Sequence, residues 1–252
     1  MTGLLRAEVR KLAGRKLYWI LLAVLAGFVV VAAFFVLVFP RIAPAEAGPI
    51  PVIDKPDAYL VGVGQVASQV WFPVILAVVM LGTETGSSLW ATNLTREPRR
   101  GRHLAAKTGV LGLAAIAGAV LGVLVWTAAA AAWASGSGTP EVGDWADRVA
   151  KLGLIELVWV SIGLAAAAGL RSVGPAVGVG LGFSFLDAVL AVWAPWRRWS
   201  PTWATSSLMD GRRVSDILGG GEMTAGEAAL VLVLWCVLAL VVAWAALRFR
   251  EP

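Results

Sequence analysis

The sequence predicts an all-α polytopic membrane protein with six transmembrane helices, and three observations carry that expectation. Six apolar stretches, at 17–39, 59–81, 108–133, 149–170, 173–194 and 225–247, are each long enough to cross a hydrocarbon core of about 30 Å. The 252 residues are 59% hydrophobic and 15% charged with mean hydropathy +0.79, which leaves a soluble domain too little polar surface. The basic residues also divide unevenly. With both termini in the cytoplasm, 13 of the 21 fall on the inner side, against four inner and ten outer acidic residues, as the positive-inside rule requires.

Taken in order, residues 2–16 place Leu4, Leu5, Val9 and Leu12 near one helical face with Arg6, Arg10, Lys11 and Lys16 largely elsewhere. That pattern predicts an amphipathic helix on the inner membrane surface, or else a charged flank that only orients the first span. Leu17 to Phe39 is the first span, too long for a signal-peptide core and not followed by an Ala-x-Ala site, so it is expected to stay in place. Five prolines from Pro40 to Pro56 predict an extended outer loop over 40–58. The second span carries Gly62, Gly64, Gln65, Ser68 and Gln69, a polar face expected to look at protein or water.

Segment 82–107 is the densest polar stretch, with Arg96, Arg99, Arg100, Arg102 and Lys107 against Glu84 and Glu97. Five basic residues resist translocation and predict a cytoplasmic loop. The third span follows, where Gly118 and Gly122 make a small-residue pair that permits close helix approach. Residues 134–148 form an acidic outer turn, and Arg171 with Ser172 a tight inner turn between spans four and five. Gly174, Gly178 and Gly182 predict a packing face on the fifth span. The outer segment 195–224 opens among Trp193, Trp196, Trp199 and Trp203, an aromatic belt, and Pro201 to Leu218 predicts a short interfacial or re-entrant helix. The whole chain reads as one transmembrane domain, 1–252.

Several chemistries are excluded. Cys236 is the only cysteine and His103 the only histidine, so disulfides, Cys-rich metal sites and His-pair metal motifs are ruled out and no metal or other cofactor is expected. Gly101 to Thr108 imitates a phosphate-binding loop, but Ala106 stands where the second glycine belongs and no strand precedes it. The chain is therefore not expected to bind ATP or to be an enzyme, and its net charge of +5 reads as topological bias rather than as a nucleic-acid surface. Asn93 to Thr95 spells a glycosylation sequon on the predicted inner side. Glu156 and Asp187 are the two acidic residues inside predicted spans, where a charge is costly unless paired or hydrated. Each is a functional candidate, and each also lies close enough to a span end to reach an interface.

The order Glu84 to Gly86, Arg96 to Arg102 with Pro98, Arg99 and Arg100 at its centre, then Ala105, Ala106 and Lys107 at the start of span three, resembles permease subunits of type-2 ABC exporters. Gly86 and Ser87 stand where that family carries Gly-Thr. The resemblance implies that segment 82–107 is a coupling loop seated on a separate nucleotide-binding subunit, with Glu84, Arg96, Arg99, Arg100 and Arg102 as contacts to it or to lipid phosphate. It further implies a homodimer or a pair with a related permease, two copies of the ATPase, and export of an unidentified substrate across a bacterial plasma membrane. Gln65, Gln69, Glu156 and Asp187 are the expected translocation-path residues. Guanidinium groups suit directional bonds to carboxylate and phosphate, but the same arginines could serve only to fix topology. A non-transporting membrane scaffold or assembly factor is the alternative reading, and a membrane-embedded enzyme using Glu156 or Asp187 a third.

Overall fold

The computed structural model describes residues 2–42, 53–87, 100–170, 172–210 and 223–249, and among these it is helical almost throughout, with one isolated bridge between Asp54 and Ser135. Helix α1 (Thr2–Ala13) leads into α2 (Lys16–Ile42), followed by α3 (Lys55–Ala67), α4 (Trp71–Thr85), α5 (Arg100–Trp133), α6 (Val142–Leu170) and α7 (Val173–Leu190). Two short helices, α8 (Ala194–Arg197) and α9 (Pro201–Asp210), precede α10 (Ala225–Arg248). Six helical stretches are long and apolar enough to cross a membrane, with α3 and α4 together forming one of them.

Local sequence explains the departures from ideal helix. Pro40 lacks an N–H and crowds the carbonyl four residues back, and just before it α2 widens into a π segment, Phe34–Val38, in which Phe39 N–H reaches the Phe34 carbonyl. The helix then continues through Pro40 to Ile42 instead of ending there, which corrects the loop expected from residue 40. Pro73 has a stronger effect. It cannot donate to the Gln69 carbonyl, and the chain breaks over residues 68–70, where Gln69 N–H turns back to Val66 O at 3.0 Å. The expected single span 59–81 is thus two half-helices, one on each side of the break. By contrast α10 begins where expected, on a capping box in which Thr224 and Glu227 each accept the other's backbone N–H.

Helix α5 is 34 residues, about 51 Å by its rise per residue, so its first two turns extend beyond what a bilayer core needs. Those turns contain Arg100, Arg102, His103 and Lys107, residues expected in a loop. Helix α6 likewise starts at Val142, seven residues before the expected fourth span.

The bundle is organised around α6, which packs against α3, α4, α5, α7 and α10. Two-thirds of its most apolar window is buried, against 22% for α7. Trp126, Trp159 and Phe72 are fully buried among the central helices, and the Trp126 indole donates to Ala58 O at 2.7 Å. Gly62 leaves the space that the Trp126 ring occupies. The outer flanks of α2, α7 and α10 expose Phe28, Phe35, Phe185, Val189, Val237 and Val241, an apolar perimeter suited to hydrocarbon. The start of α5 touches both α1 and the end of α10, so the two ends of the chain lie at one end of the bundle.

The glycines divide by role. A Cβ on Gly118 or Gly122 would press on Phe72 and Leu22 or on Val66 and Val29, as a close-packed pair requires. Gly174, Gly178 and Gly182 have open space beside them, so among the described residues nothing packs on that stripe; on α7 it is Gly180 that meets Val74. Gly163 is the tightest approach to a main chain, because its Cβ would lie 2.8 Å from the Val74 carbonyl oxygen and 2.9 Å from Ala77 Cβ. Gly163→Ala should therefore force α6 away from α4 and cost about 1–3 kcal/mol. In thermal unfolding under identical detergent, that variant is expected to melt below the parent, whereas Gly178→Ala melts at or above it.

Candidate functional site

At the end of the bundle that holds both ends of the chain, four charged side chains from three helices close a ring. On α1, residues 4, 8, 11 and 12 share the face turned toward the protein: Leu12 and Glu8 are buried, and Leu4 and Lys11 half-buried. Leu5 and Val9 are exposed on another face. Glu84 sits in the last turn of α4, where a carboxylate opposes the helix dipole and needs compensating cations. Lys11 and Lys107 supply them. Lys11 Nζ lies 3.0 Å from Glu8 Oε1 and 3.2 Å from Glu84 Oε1, while Lys107 Nζ lies 2.7 Å from Glu8 Oε2 and 2.9 Å from Glu84 Oε2. Each carboxylate thus gives one oxygen to each ammonium, and the ring is electrically neutral. Glu8, Glu84 and Lys107 are each at most 3% exposed, and His103 is buried one turn before Lys107. Arg15 extends the same seam by donating to Thr83 Oγ1 at 2.9 Å.

Burial alone would push the Glu8 carboxyl up, but the Lys107 charge and the hydrogen bonds from Lys107 and Lys11 outweigh it and hold the group below its ordinary value of 4.5. Desolvation works against the Lys11 charge too, yet Glu8 and Glu84 raise it above its ordinary 10.5.

The residues expected to contact a soluble partner are placed as follows. Glu84 is turned inward, its carboxylate committed to the ring. Arg100 donates to the Leu247 and Arg248 carbonyls, satisfying the C-terminal end of α10. Arg102 is exposed at the start of α5. Arg96 and Arg99 lie outside the described residues, as does the rest of 88–99. Sequence reasoning missed Glu8, because a charged residue in an amphipathic helix reads as solvent-facing; its spacing from Leu4 and Leu12 was the available signal.

The opposite end of the bundle is fastened by Asp187. This residue, 1% exposed near the end of α7, accepts from Trp196 Nε1 at 2.7 Å, Ser200 Oγ at 2.8 Å and Thr202 N at 2.9 Å. Ser200 is the N-cap of α9, taking the Trp203 N–H at 3.0 Å, and Pro201 occupies the first helical position, where a missing N–H costs nothing. Arg197 reinforces the turn by donating to the Ala191 and Val192 carbonyls and lying over the Trp203 ring. The acid expected to line a path therefore holds the tryptophan-rich segment against α7.

Between α3, α7 and α9 that segment shelters a cavity of about 620 Å³, floored by the break at 68–70 and by Trp159 of α6. Gln65 is part of its wall. Gln69 spans the break beside it, donating to Gln65 O at 3.3 Å and accepting from Trp71 Nε1 at 2.9 Å. Two wall residues, Trp159 and Thr205, hold buried polar atoms without a hydrogen-bond partner among the described residues. Glu156 lies one turn before Trp159, 3% exposed, and its Oε2 also lacks a partner, while nearby Lys151 pairs with Asp147 instead. No family model matches this sequence, and no curated protein matches it.

The ring generates two expectations. Lys107→Ala removes the more deeply buried of the two ring cations and should destabilise the protein by about 3–5 kcal/mol; Glu84→Ala combined with Lys107→Ala removes opposite charges and should cost less than the sum of the single changes, as a double-mutant cycle of thermal unfolding would measure. The docking of α1 should also depend on pH at both extremes. With its carboxyl lowered, Glu8 contributes fully above 4.5 and loses that contribution as pH falls through its lower native value; Lys11, raised, contributes fully below 10.5 and loses it as pH rises past its native value. A spin-label pair on α1 and α5 is expected to report a constant distance between those limits and separation beyond them.

Proposed function

We propose that this chain is the membrane-spanning permease subunit of a type-2 ABC exporter, powered by ATP hydrolysed on a separate nucleotide-binding subunit. It would work as a homodimer or with a related permease in a bacterial plasma membrane. One observation carries the reading: both flanks of the basic segment are braced to the rest of the bundle. Glu84 on one side and Lys107 on the other join the same charge ring with α1, and Arg100 grips the end of α10. A push on residues 88–102 would thus reach α1, α4, α5 and α10 together, which is what a coupling element must do.

The architecture supports the reading at the other end as well. A sheltered cavity floored by an interrupted helix is where membrane transporters commonly build a substrate site, since backbone freed from helix is tolerated at depth only where protein or water covers it. Gln65 would meet the substrate directly, Gln69 and Glu156 would lie just behind the wall, and Asp187 would hold α9 over it. Arg96, Arg99 and Arg102 are the side chains proposed to touch the ATPase. Arg100 and Glu84 would act through the helices they fasten.

The test is whether an ABC-type ATPase, sought first among the genes that neighbour this one, is retained on co-purification after joint expression. Arg99→Ala with Arg102→Ala is expected to lower the retained ATPase at least tenfold while the melting temperature of the permease stays put. Undiminished retention would overturn the docking assignment. Labelling of Arg102→Cys, in a Cys236→Ala background, by an impermeant reagent added to intact cells would overturn the inward orientation on which that assignment stands.

A further inference from the structure

The cavity between α3, α7 and α9 has a wall whose chemistry selects among ligands. Among the described residues sixteen line it, and none of these is Asp, Glu, Lys, Arg or His. An ion entering it would lose its hydration without meeting an opposite charge among these residues, which disfavours ions strongly. Much of the wall is apolar, with Val61, Val70, Leu181 and Phe185 among its residues.

Besides the Gln65 amide and the Thr202 hydroxyl, the wall carries hydroxyls that are already engaged and polar atoms that are not. Ser68, Ser184 and Ser206 each donate to a carbonyl of their own helix, at 2.7, 2.7 and 3.2 Å, so their hydrogens are already engaged. Trp159 Nε1 and Thr205 Oγ1 are not engaged, and both residues are more than nine-tenths buried. An indole N–H is a donor only. Left without an acceptor it forfeits a hydrogen bond that any water-exposed indole would make; the atom presents less than 1 Å² of surface, so a ligand oxygen gains that bond as the neighbouring wall side chains give way to it. The break brings the C-terminus of α3, through Ala67 and Ser68, and the N-terminus of α4, through Val70 and Trp71, onto the same wall, so their opposite partial charges offset and favour neither sign of ion.

We propose that this cavity binds an uncharged amphiphile whose oxygen, an ester or amide carbonyl or a hydroxyl, accepts from Trp159 and pairs with Thr205 while its chain lies against the apolar wall. A volume of about 620 Å³ accommodates one molecule of drug or short-lipid size. This names the substrate class of the permease reading and rests on that reading for its role in export, although binding itself does not require the ATPase.

The experiment uses the full chain in nanodiscs with a monoacylglycerol carrying a photoactivatable diazirine on its acyl chain. Saturable labelling is expected in peptides covering 61–71, 181–188 and 202–209. Excess unlabelled monoacylglycerol should compete, and neither an acyl phosphate nor an alkyl trimethylammonium of equal chain length should do so. Trp159→Phe removes the N–H and keeps a ring, Thr205→Val removes the hydroxyl and keeps the shape, and each should raise the half-saturating concentration about tenfold. Unsaturable labelling, equal competition by either ion, or unchanged half-saturation in a folded Thr205→Val protein would overturn the proposal. The two readings separate cleanly. Saturable labelling by a chain that retains no ATPase keeps the site and sinks the permease, and the reverse result sinks the site alone.

Discussion

Everything at one end of this bundle depends on the closed ring of Glu8, Lys11, Glu84 and Lys107. Three of its four members are almost completely removed from solvent, and such charges are tolerable only while each oxygen and each ammonium is matched. The ring is matched because α1, α4 and α5 meet at one place. Conversely, α1 presents little buried apolar surface of its own, with Leu12 its one buried hydrophobic residue, so electrostatic complementarity rather than apolar burial fixes where that helix lies. The exposed Leu5 and Val9 on its other face leave it able to rest against lipid at the same time.

The two ends of the molecule are held by different physics. At one end, opposite charges on three helices compensate each other. At the other, Asp187 has no cation among the described residues; its three donors there are an indole, a hydroxyl and a backbone N–H at the start of α9, so hydrogen bonding and a helix dipole do the work of a counter-ion. Between them stands α6, packed on α3, α4, α5, α7, α9 and α10 and carrying Glu156 at its midpoint. Trp235 of α10 closes the structure from the side, donating to Trp199 O at 2.6 Å and meeting Trp196 edge to face.

The six long helices could be read from the sequence because apolar length is a property of contiguous residues. The ends were harder. Arg100 to Lys107 are polar enough to read as loop, yet they are helical because α1 and α10 supply partners that no local rule contains. Pro73 was a local signal for the broken second span, outweighed by the unbroken apolar run around it. Asp187 was recognised as costly at depth, but its partners come nine to fifteen residues later and from an irregular turn, so its role depended on tertiary placement. Gly174, Gly178 and Gly182 show the opposite failure: a small-residue stripe marks where close approach is permitted and does not say that anything approaches.

The interruption at residues 68–70 has a further geometric consequence. Helices α3 and α4 contain 13 and 15 residues and so are about 20 and 22 Å long, each too short by itself for a hydrocarbon core of about 30 Å. The bend between them must then sit deep in the slab, where bare peptide groups cannot be left facing acyl chains. Helix α9 serves as a stopper over that weak point, and its seating on a single carboxylate makes the wetting of the molecule's interior depend on one aspartate.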